Sequence, residues 1–394
     1  MTWRKVFLGD LFKVGSSKRV LKSQWTNEGI PFYRGREITR LATDGFVDNE
    51  LFITEDHYAE LAEKYGVPNA GDIVITAIGT IGNSHVVREY DKFYFKDASV
   101  LWLKRASNVS SEFINIWLKS PLFIDQLDRG NGATVDTLTI QKLQSVQLNL
   151  PPLPEQQRIV AILDEAFSAI AKAKANAEQN LKNTQELFES YLQSIFENKG
   201  VGWKEEKLRE VIEYDKSQKV HNGLPYVGLE HIESNSGRFL GNLEPQAVKS
   251  STFYFSNKHV LYGRLRPYLN KVLIPNFEGH CSTEIFPIKV SDKILREFLF
   301  YWLITRNTVK NIDATWTGAR MPRANMNQVL TFDFAFPSKV EQQNIIEKLD
   351  ILSSETKKLE TIYQQKINDL EELKKSILQK AFGGELKTDK DIAA

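Results

Sequence analysis

One stretch of this chain occurs twice, and the repetition restricts what the whole can fold into. Glu155-Gln156-Gln157-Arg158-Ile159-Val160-Ala161-Ile162-Leu163-Asp164 opens a run free of Gly and Pro that reaches Glu197. Glu341-Gln342-Gln343-Asn344-Ile345-Ile346-Glu347-Lys348-Leu349-Asp350 opens a second, reaching Phe382, with Glu, Gln, Gln, Ile, Leu and Asp at matching offsets.

Both runs read as helix. Steps of four and three pass through Leu163, Phe167, Ile170, Lys174, Ala177, Leu181, Thr184, Phe188, Tyr191 and Ile195 in the first. The second stripe is Leu349, Leu352, Thr356, Leu359, Tyr363, Lys366, Leu370, Leu373 and Ile377, and each stripe is heptad-like with polar interruptions. Lys, Glu, Gln and Asn fill the other faces, which favours solvated helix. Pro152 and Pro154 precede the first run and Pro337 the second, while Gly200 and Gly383-Gly384 follow them. At 1.5 Å per residue each run makes a rod of roughly 60 Å. A single apolar stripe on such a rod must be covered, either by another copy of the chain or by the other rod.

With 394 residues the chain has room for several cores, and 42% hydrophobic with 26% charged residues is ordinary soluble composition. The single cysteine, Cys281, excludes an intramolecular disulfide framework. No apolar run approaches a membrane span and Met1-Thr2-Trp3-Arg4-Lys5 leads into no signal-peptide core, so a cytoplasmic protein with no membrane partner is expected. The net charge of +1 is uneven: residues 201–336 hold 18 basic and 14 acidic residues, whereas residues 1–150 hold 18 of each.

The segments before each rod repeat as well. Trp3 with Leu8–Phe12, an expected strand or turn, corresponds to Trp203 with Leu208–Ile212. Ile30-Pro31-Phe32-Tyr33 corresponds to Leu224-Pro225-Tyr226-Val227, and the strand and loop Asp72–Asn83 to His259–Asn270. Phe113–Leu118, read as amphipathic helix, matches Phe298–Leu303; Gly132-Ala133 matches Gly318-Ala319, and Ser145–Leu150 reads as a last strand. The expected order is a first α/β (α+β) domain at 1–150, a long helix at 151–199, a second domain at 200–336, and a second long helix with tail at 337–394. An approximate twofold relation between the halves would set the helices antiparallel as a coiled coil, each covering the other's stripe, with a domain at either end. Within this expectation Leu163, Phe167, Ile170, Leu181, Phe188 and Ile195 pair with Leu349, Leu352, Leu359, Leu370, Leu373 and Ile377.

The loops differ where the frameworks agree, as expected of two related readers with different targets. Arg264, Arg266, Tyr268 and Lys271 form one basic and aromatic patch, and Arg320, Arg323 and Asn325 with Trp316 another. In the first segment Lys18, Arg19, Arg34, Arg36, Thr80, Asn83, Asn131 and Thr134 are the candidates. Arg can pair bidentately with guanine and Asn with adenine, while Lys and Thr hold phosphates. The competing reading is solvated loops and salt bridges within a domain. No Walker loop and no G-x-G-x-x-G after a strand is present, and Gly79-x-x-Gly82 lacks the lysine of a phosphate loop. His57, His85, His221, His231, His259 and His280 are scattered, and His280-Cys281 has no partner pair at zinc spacing, so neither catalysis nor a metal is expected.

The rod entrance Leu150-Pro151-Pro152-Leu153-Pro154-Glu155-Gln156-Gln157-Arg158-Ile159-Val160, the exit Ile195-Phe196-Glu197-Asn198-Lys199-Gly200 with Trp203, and the closing Ala381-Phe382-Gly383-Gly384-Glu385-Leu386 resemble the specificity subunit of type I restriction-modification systems. The resemblance covers essentially the whole chain. One departure is Phe336-Pro337-Ser338-Lys339-Val340-Glu341, which keeps one proline at the second entrance. The resemblance implies two target-recognition domains, each reading half of a bipartite, asymmetric site on double-stranded DNA, with antiparallel helices setting the gap. It also implies two docked modification subunits that carry S-adenosylmethionine, a motor-nuclease restriction subunit using ATP and magnesium where one joins, and no cofactor on this chain. The alternatives are the specificity module of a type II-like methyltransferase complex and a coiled-coil protein-interaction scaffold. Only the scaffold predicts no salt-dependent affinity for DNA.

Overall fold

The computed structural model describes residues 3–127, 137–218, 223–318 and 320–386. Two helices of 45 residues, Leu153–Glu197 and Lys339–Gly383, follow the two repeated entrances. The chain divides into two compact units, Met1–Asn176 with Lys366–Ala394, and Ala177–Gln365. The division falls inside the helices rather than at their ends because each globular core takes in the start of one long helix and the end of the other.

In the first unit Arg4–Phe7 pairs antiparallel with Gln147–Leu150, closing the domain just before the helix entrance. A four-stranded antiparallel sheet runs Phe12–Gly15, Val100–Arg105, Ile73–Thr76, Ser84–Val86. Ile73–Thr76 is buried along its whole length, which is why it reads as an unbroken apolar run. A second sheet places Ile30–Tyr33 between Phe52–Ile53 and Tyr94–Phe95, parallel to the latter. The core joins Phe12, Ile75, Phe113 and Trp117 to Leu163 of one long helix and Leu378 and Phe382 of the other. Phe113 meets Phe382 edge-on at 5.1 Å, Lys374 lies 5.0 Å over the Phe167 ring, and Lys174 pairs with Glu371. Within this unit the two helical segments therefore run antiparallel.

The second unit repeats the plan. Lys204–Lys207 pairs with Asp333–Phe336, and the four-stranded order is Ile212–Tyr214, Ile285–Val290, His259–Gly263, Val272–Leu273. Gly279–Ser282 lies between Tyr226–Val227, parallel to it, and Thr252–Phe255. Its core joins Phe298 and Phe334 to Leu192, Ile346 and Leu349 of the long helices. His280 and Cys281 sit in a strand, with the His280 ring bonded to Thr252 and the Gln246 carbonyl.

The duplicated Glu-Gln-Gln has a structural cause. Gln156 and Gln342 are buried. Gln156 accepts from the Ser110 N–H (2.9 Å) and donates to the Pro151 carbonyl (2.8 Å), latching the helix to the loop that leads into Ser111–Trp117. Gln342 accepts from the Leu295 N–H (2.8 Å) and donates to the carbonyls of Lys293 (2.9 Å) and Pro337 (3.0 Å), ahead of Arg296–Leu303.

Two expectations need correction. Leu8–Leu11 is a short helix rather than a strand or turn. Gly35–Asp44 and Glu55–Tyr65 are two further helices; Glu37 closes the first by accepting from the Arg34 N–H, and Thr54 caps the second. In the second long helix Leu359 and Leu373 lie exposed, at 39% and 47%, while Thr356, Ile367 and Leu378 are buried. The buried positions step by eleven there, close to the helix's own 3.6-residue turn, so a strict heptad count drifts off the covered face. In the first helix Leu163 and Ile170 are buried as expected, and Leu181, Phe188 and Ile195 are partly so. Among the described residues no helix is long and apolar enough to cross a membrane.

Candidate nucleic-acid interface

In the second unit the two basic patches form one surface. Strand His259–Gly263 feeds a loop in which Arg266 (φ 51°) and Asn270 (φ 40°) both take left-handed backbone conformations around the single turn Pro267–Leu269. Such residues cost energy and persist only where the surroundings enforce them. Here the enforcement comes from the segment carrying the other patch: Leu265 bridges Arg323, the Arg266 N–H donates to the Pro322 carbonyl (2.8 Å), and the Ala324 N–H donates to the Arg264 carbonyl (2.9 Å). Trp316 and Met321 are exposed on the segment that carries Arg320 and Arg323, an aromatic and apolar surface of the kind that can meet bases, whereas exposed Tyr268 lines a separate groove with Phe300 and Val309.

Glu284 sits at the centre. Arg264 Nε donates to Glu284 Oε2 (3.0 Å), while Arg323 donates through Nε (2.9 Å) and a terminal nitrogen (2.8 Å) to Oε1. Burial opposes ionisation of this carboxyl, and the Arg323 and Arg264 guanidiniums outweigh it, holding it below the usual carboxylate range. The Arg264 guanidinium also lies 5.2 Å over the Phe286 ring. Arg266 and Arg320 are exposed. Two candidates are engaged inward. Lys271 Nζ donates to the carbonyls of Leu229 (2.7 Å) and Ile232 (2.9 Å), and the Asn325 side chain caps Met326–Val329 by accepting from the Gln328 N–H.

The first unit has the same framework and different side chains. Ile78 bridges Thr137 and the Leu138 N–H donates to the Ala77 carbonyl (2.7 Å), the counterparts of the Leu265–Arg323 and Ala324–Arg264 contacts. The Ala77 N–H donates to the Ser99 carbonyl as Arg264 N–H does to that of Glu284, so Ala77 and Ser99 stand where Arg264 and Glu284 stand. The arginines come instead from the start of helix Gly35–Asp44, beside the loop after Ile73–Thr76: a Cβ added at Gly35 would lie 3.9 Å from the Ile78 carbonyl oxygen. Arg34 donates through Nε (3.1 Å) and Nη2 (2.8 Å) to buried Glu37, and Arg36 Nε donates to the same carboxylate (2.9 Å). Burial opposes ionisation of Glu37, and the two arginines outweigh it, bringing the carboxyl down to about 2. Asn83 is tied to Thr39 (3.1 Å), Thr80 is exposed, and Lys18 lies over the Tyr65 ring with Arg19 exposed beside it. Asn131 and Thr134 lie outside the described residues.

Residue type and loop position point to the arginines and not to the carboxylates that hold them. Glu37 follows Arg34 by three residues, but arginine has no acceptor to cap a helix as Ser, Thr, Asp or Asn do, so the pair carries no helix-start signal. Glu284 is twenty residues from Arg264 and thirty-nine from Arg323 and carries no local signal.

The family model for the type I restriction modification DNA specificity domain matches twice, over residues 1–182 and 200–372. The chain is 32% identical over 185 residues to S.HindORF215P of Haemophilus influenzae, a match spanning 47% of this chain and 45% of that relative. It is 24% identical over 425 aligned residues to the type I restriction enzyme EcoDI specificity subunit of Escherichia coli, covering 98% of this chain and 88% of the relative. Among solved structures, a chain from work on complex assembly and conformational transition of the type I R-M system superposes with a TM-score of 0.78 at 18% identity over 98% of both chains. The HsdS subunit from Thermoanaerobacter tengcongensis gives 0.61 at 18% identity over 98% of this chain and 97% of that one. At these identities the structural likeness carries the fold.

Proposed function

This chain belongs to the type I restriction modification DNA specificity family, a specificity subunit by descent, and from that premise we propose that each of its globular domains reads one half of a bipartite, asymmetric site on double-stranded DNA. The paired long helices set the gap between the halves and dock two modification subunits, with a restriction subunit joining where one is present. S-adenosylmethionine belongs to the modification subunits, and ATP with magnesium to the restriction subunit.

The observation that supports this reading is one framework built twice, with arginine clusters assembled from different positions beside the corresponding loops. Two identical readers would call for a symmetric site, and differing ones call for an asymmetric site. Guanidinium groups on the segment that exposes Trp316 suit base edges and phosphates. Partner docking rests on the family premise alone.

The test is binding of the assembled subunit and its methyltransferase to duplex DNA across a salt series. A reader loses affinity linearly in log–log form as salt rises, by roughly one unit of slope per phosphate neutralised. An affinity for DNA that does not respond to salt would favour the scaffold reading.

A further inference from the structure

The two domains share an arrangement that their alignment does not predict: one carboxylate holding two arginines, assembled from non-equivalent positions. Because Ala77 and Ser99 occupy the places of Arg264 and Glu284, the cluster of Arg34, Arg36 and Glu37 is a second construction of the same device rather than an inherited one.

Within each cluster the arginines are held differently. A guanidinium offers two paired-donor edges, the side edge of Nε with one terminal nitrogen and the end edge of both terminal nitrogens. A bidentate contact to guanine needs one whole edge. Arg323 gives its side edge to Glu284, and Nη1 donates to the Met321 carbonyl (3.3 Å), so both edges are engaged. Arg264 gives Nε alone and keeps its end edge. Arg34 spends its side edge on Glu37 and is the more buried of the pair, its side chain 30% exposed against 46% for Arg36. Arg36 gives Nε to Glu37, and its Nη2 donates to Glu50 (2.8 Å), whose side chain is 66% exposed. That outer pair is solvent-screened and weak, and approaching phosphates would repel Glu50.

We infer that Arg264 and Arg36 are the base-reading arginines of the two domains, with Glu284 and Glu37 as positioning residues that aim them and Arg323 and Arg34 as braces. A fixed Nε leaves little freedom to the end edge, so the ordering entropy is spent in folding rather than at binding. Glu50 is a displaceable cover on the first domain's arginine.

This rests on the reading of each domain as a half-site reader, and the experiment separates the two. The full chain is assembled with its methyltransferase subunit, its wild-type motif is read from adenine methylation, and competition binding uses duplexes with each base pair of that motif changed in turn. Arg264→Lys keeps the charge but loses the fork, and Glu284→Gln keeps the shape but loses the clamp. Both should lose roughly 5- to 150-fold of discrimination at the same base pair of one half, leaving the other half intact. Arg36→Lys should do this in the other half, and Glu50→Gln should bind more tightly with the motif unchanged. Arg323→Lys should blur that same base pair and no other. A wild-type split motif with full discrimination retained by assembled Arg264→Lys and Arg36→Lys complexes would overturn the inference alone. Loss at a separate base pair in Arg323→Lys would overturn the division into reader and brace. A wild type with no split motif would remove the half-site reading and this inference together.

Discussion

Replacing Gln342 with leucine should destabilise the second unit through the hydrogen bonds it loses. Leucine is close to glutamine in volume, so no large cavity opens, but the Leu295 N–H loses its acceptor and the Lys293 and Pro337 carbonyls lose a donor. An unmet buried polar group costs about 1–3 kcal/mol, and the carbonyls less than the N–H because each keeps a second lone pair. Some of this is offset by the greater apolarity of leucine, leaving a net loss of about 2–4 kcal/mol. Gln156→Leu, which strands one N–H and one carbonyl, should cost about 1–3 kcal/mol. The adjacent glutamines are the controls. Gln157 is exposed, and Gln343 bonds only Glu347 on its own helix, so leucine at either should stay within about 0.5 kcal/mol. Urea unfolding gives the energies, and amide exchange at Leu295 and Ser110 should accelerate in the matching variant only. Equal costs at Gln343 and Gln342, or unchanged exchange at Leu295, would refute the latch.

Three further outcomes are expected. Lys271→Met should lower the stability of the second unit by about 1–3 kcal/mol in denaturant titration, because two carbonyls lose their donor, while the salt dependence of DNA binding stays unchanged. Glu37, held near 2 against an ordinary 4.5, stabilises the folded chain fully above the ordinary value and loses that contribution as pH falls through 4 towards 2. After solvent screening the effect is about 1–2 kcal/mol, and Glu37→Gln should flatten that acid limb in thermal unfolding. Ile367→Ala should cost about 2 kcal/mol or more, whereas exposed Leu373→Ala should cost less than about 0.5, a contrast that measures which face of the second helix is covered.

The repeat was legible because it is written in local chemistry. The prolines, the Glu-Gln-Gln entrances and the glycine exits fall where the two long helices begin and end. The buried strands Ile73–Thr76 and His259–Gly263 were legible as apolar runs. Strand order was not, since pairings such as Phe12–Gly15 with Val100–Arg105 join residues some ninety positions apart. Helix Gly35–Asp44 was hidden because its few apolar residues, Ile38, Leu41 and Ala42, stand among charged ones and no Ser, Thr, Asp or Asn marks its start. At the candidate interface the arginines stood out by residue type, whereas what each guanidinium edge holds is a tertiary fact. The inward use of Lys271 and Asn325 shows the same limit: a basic or amide side chain in a loop reads alike whether it faces a phosphate or its own backbone.

The most direct test of two domains reading two halves is to express the chain with its methyltransferase subunit, map methylated adenines across a genome, and repeat the mapping after exchanging residues 1–150 for those of another family member. The account predicts two short defined sequences around a fixed gap, with the exchange replacing one of them and leaving the other sequence and the gap unchanged. An assembled, active complex that methylates without a split motif, or an exchange that alters both halves, would contradict it.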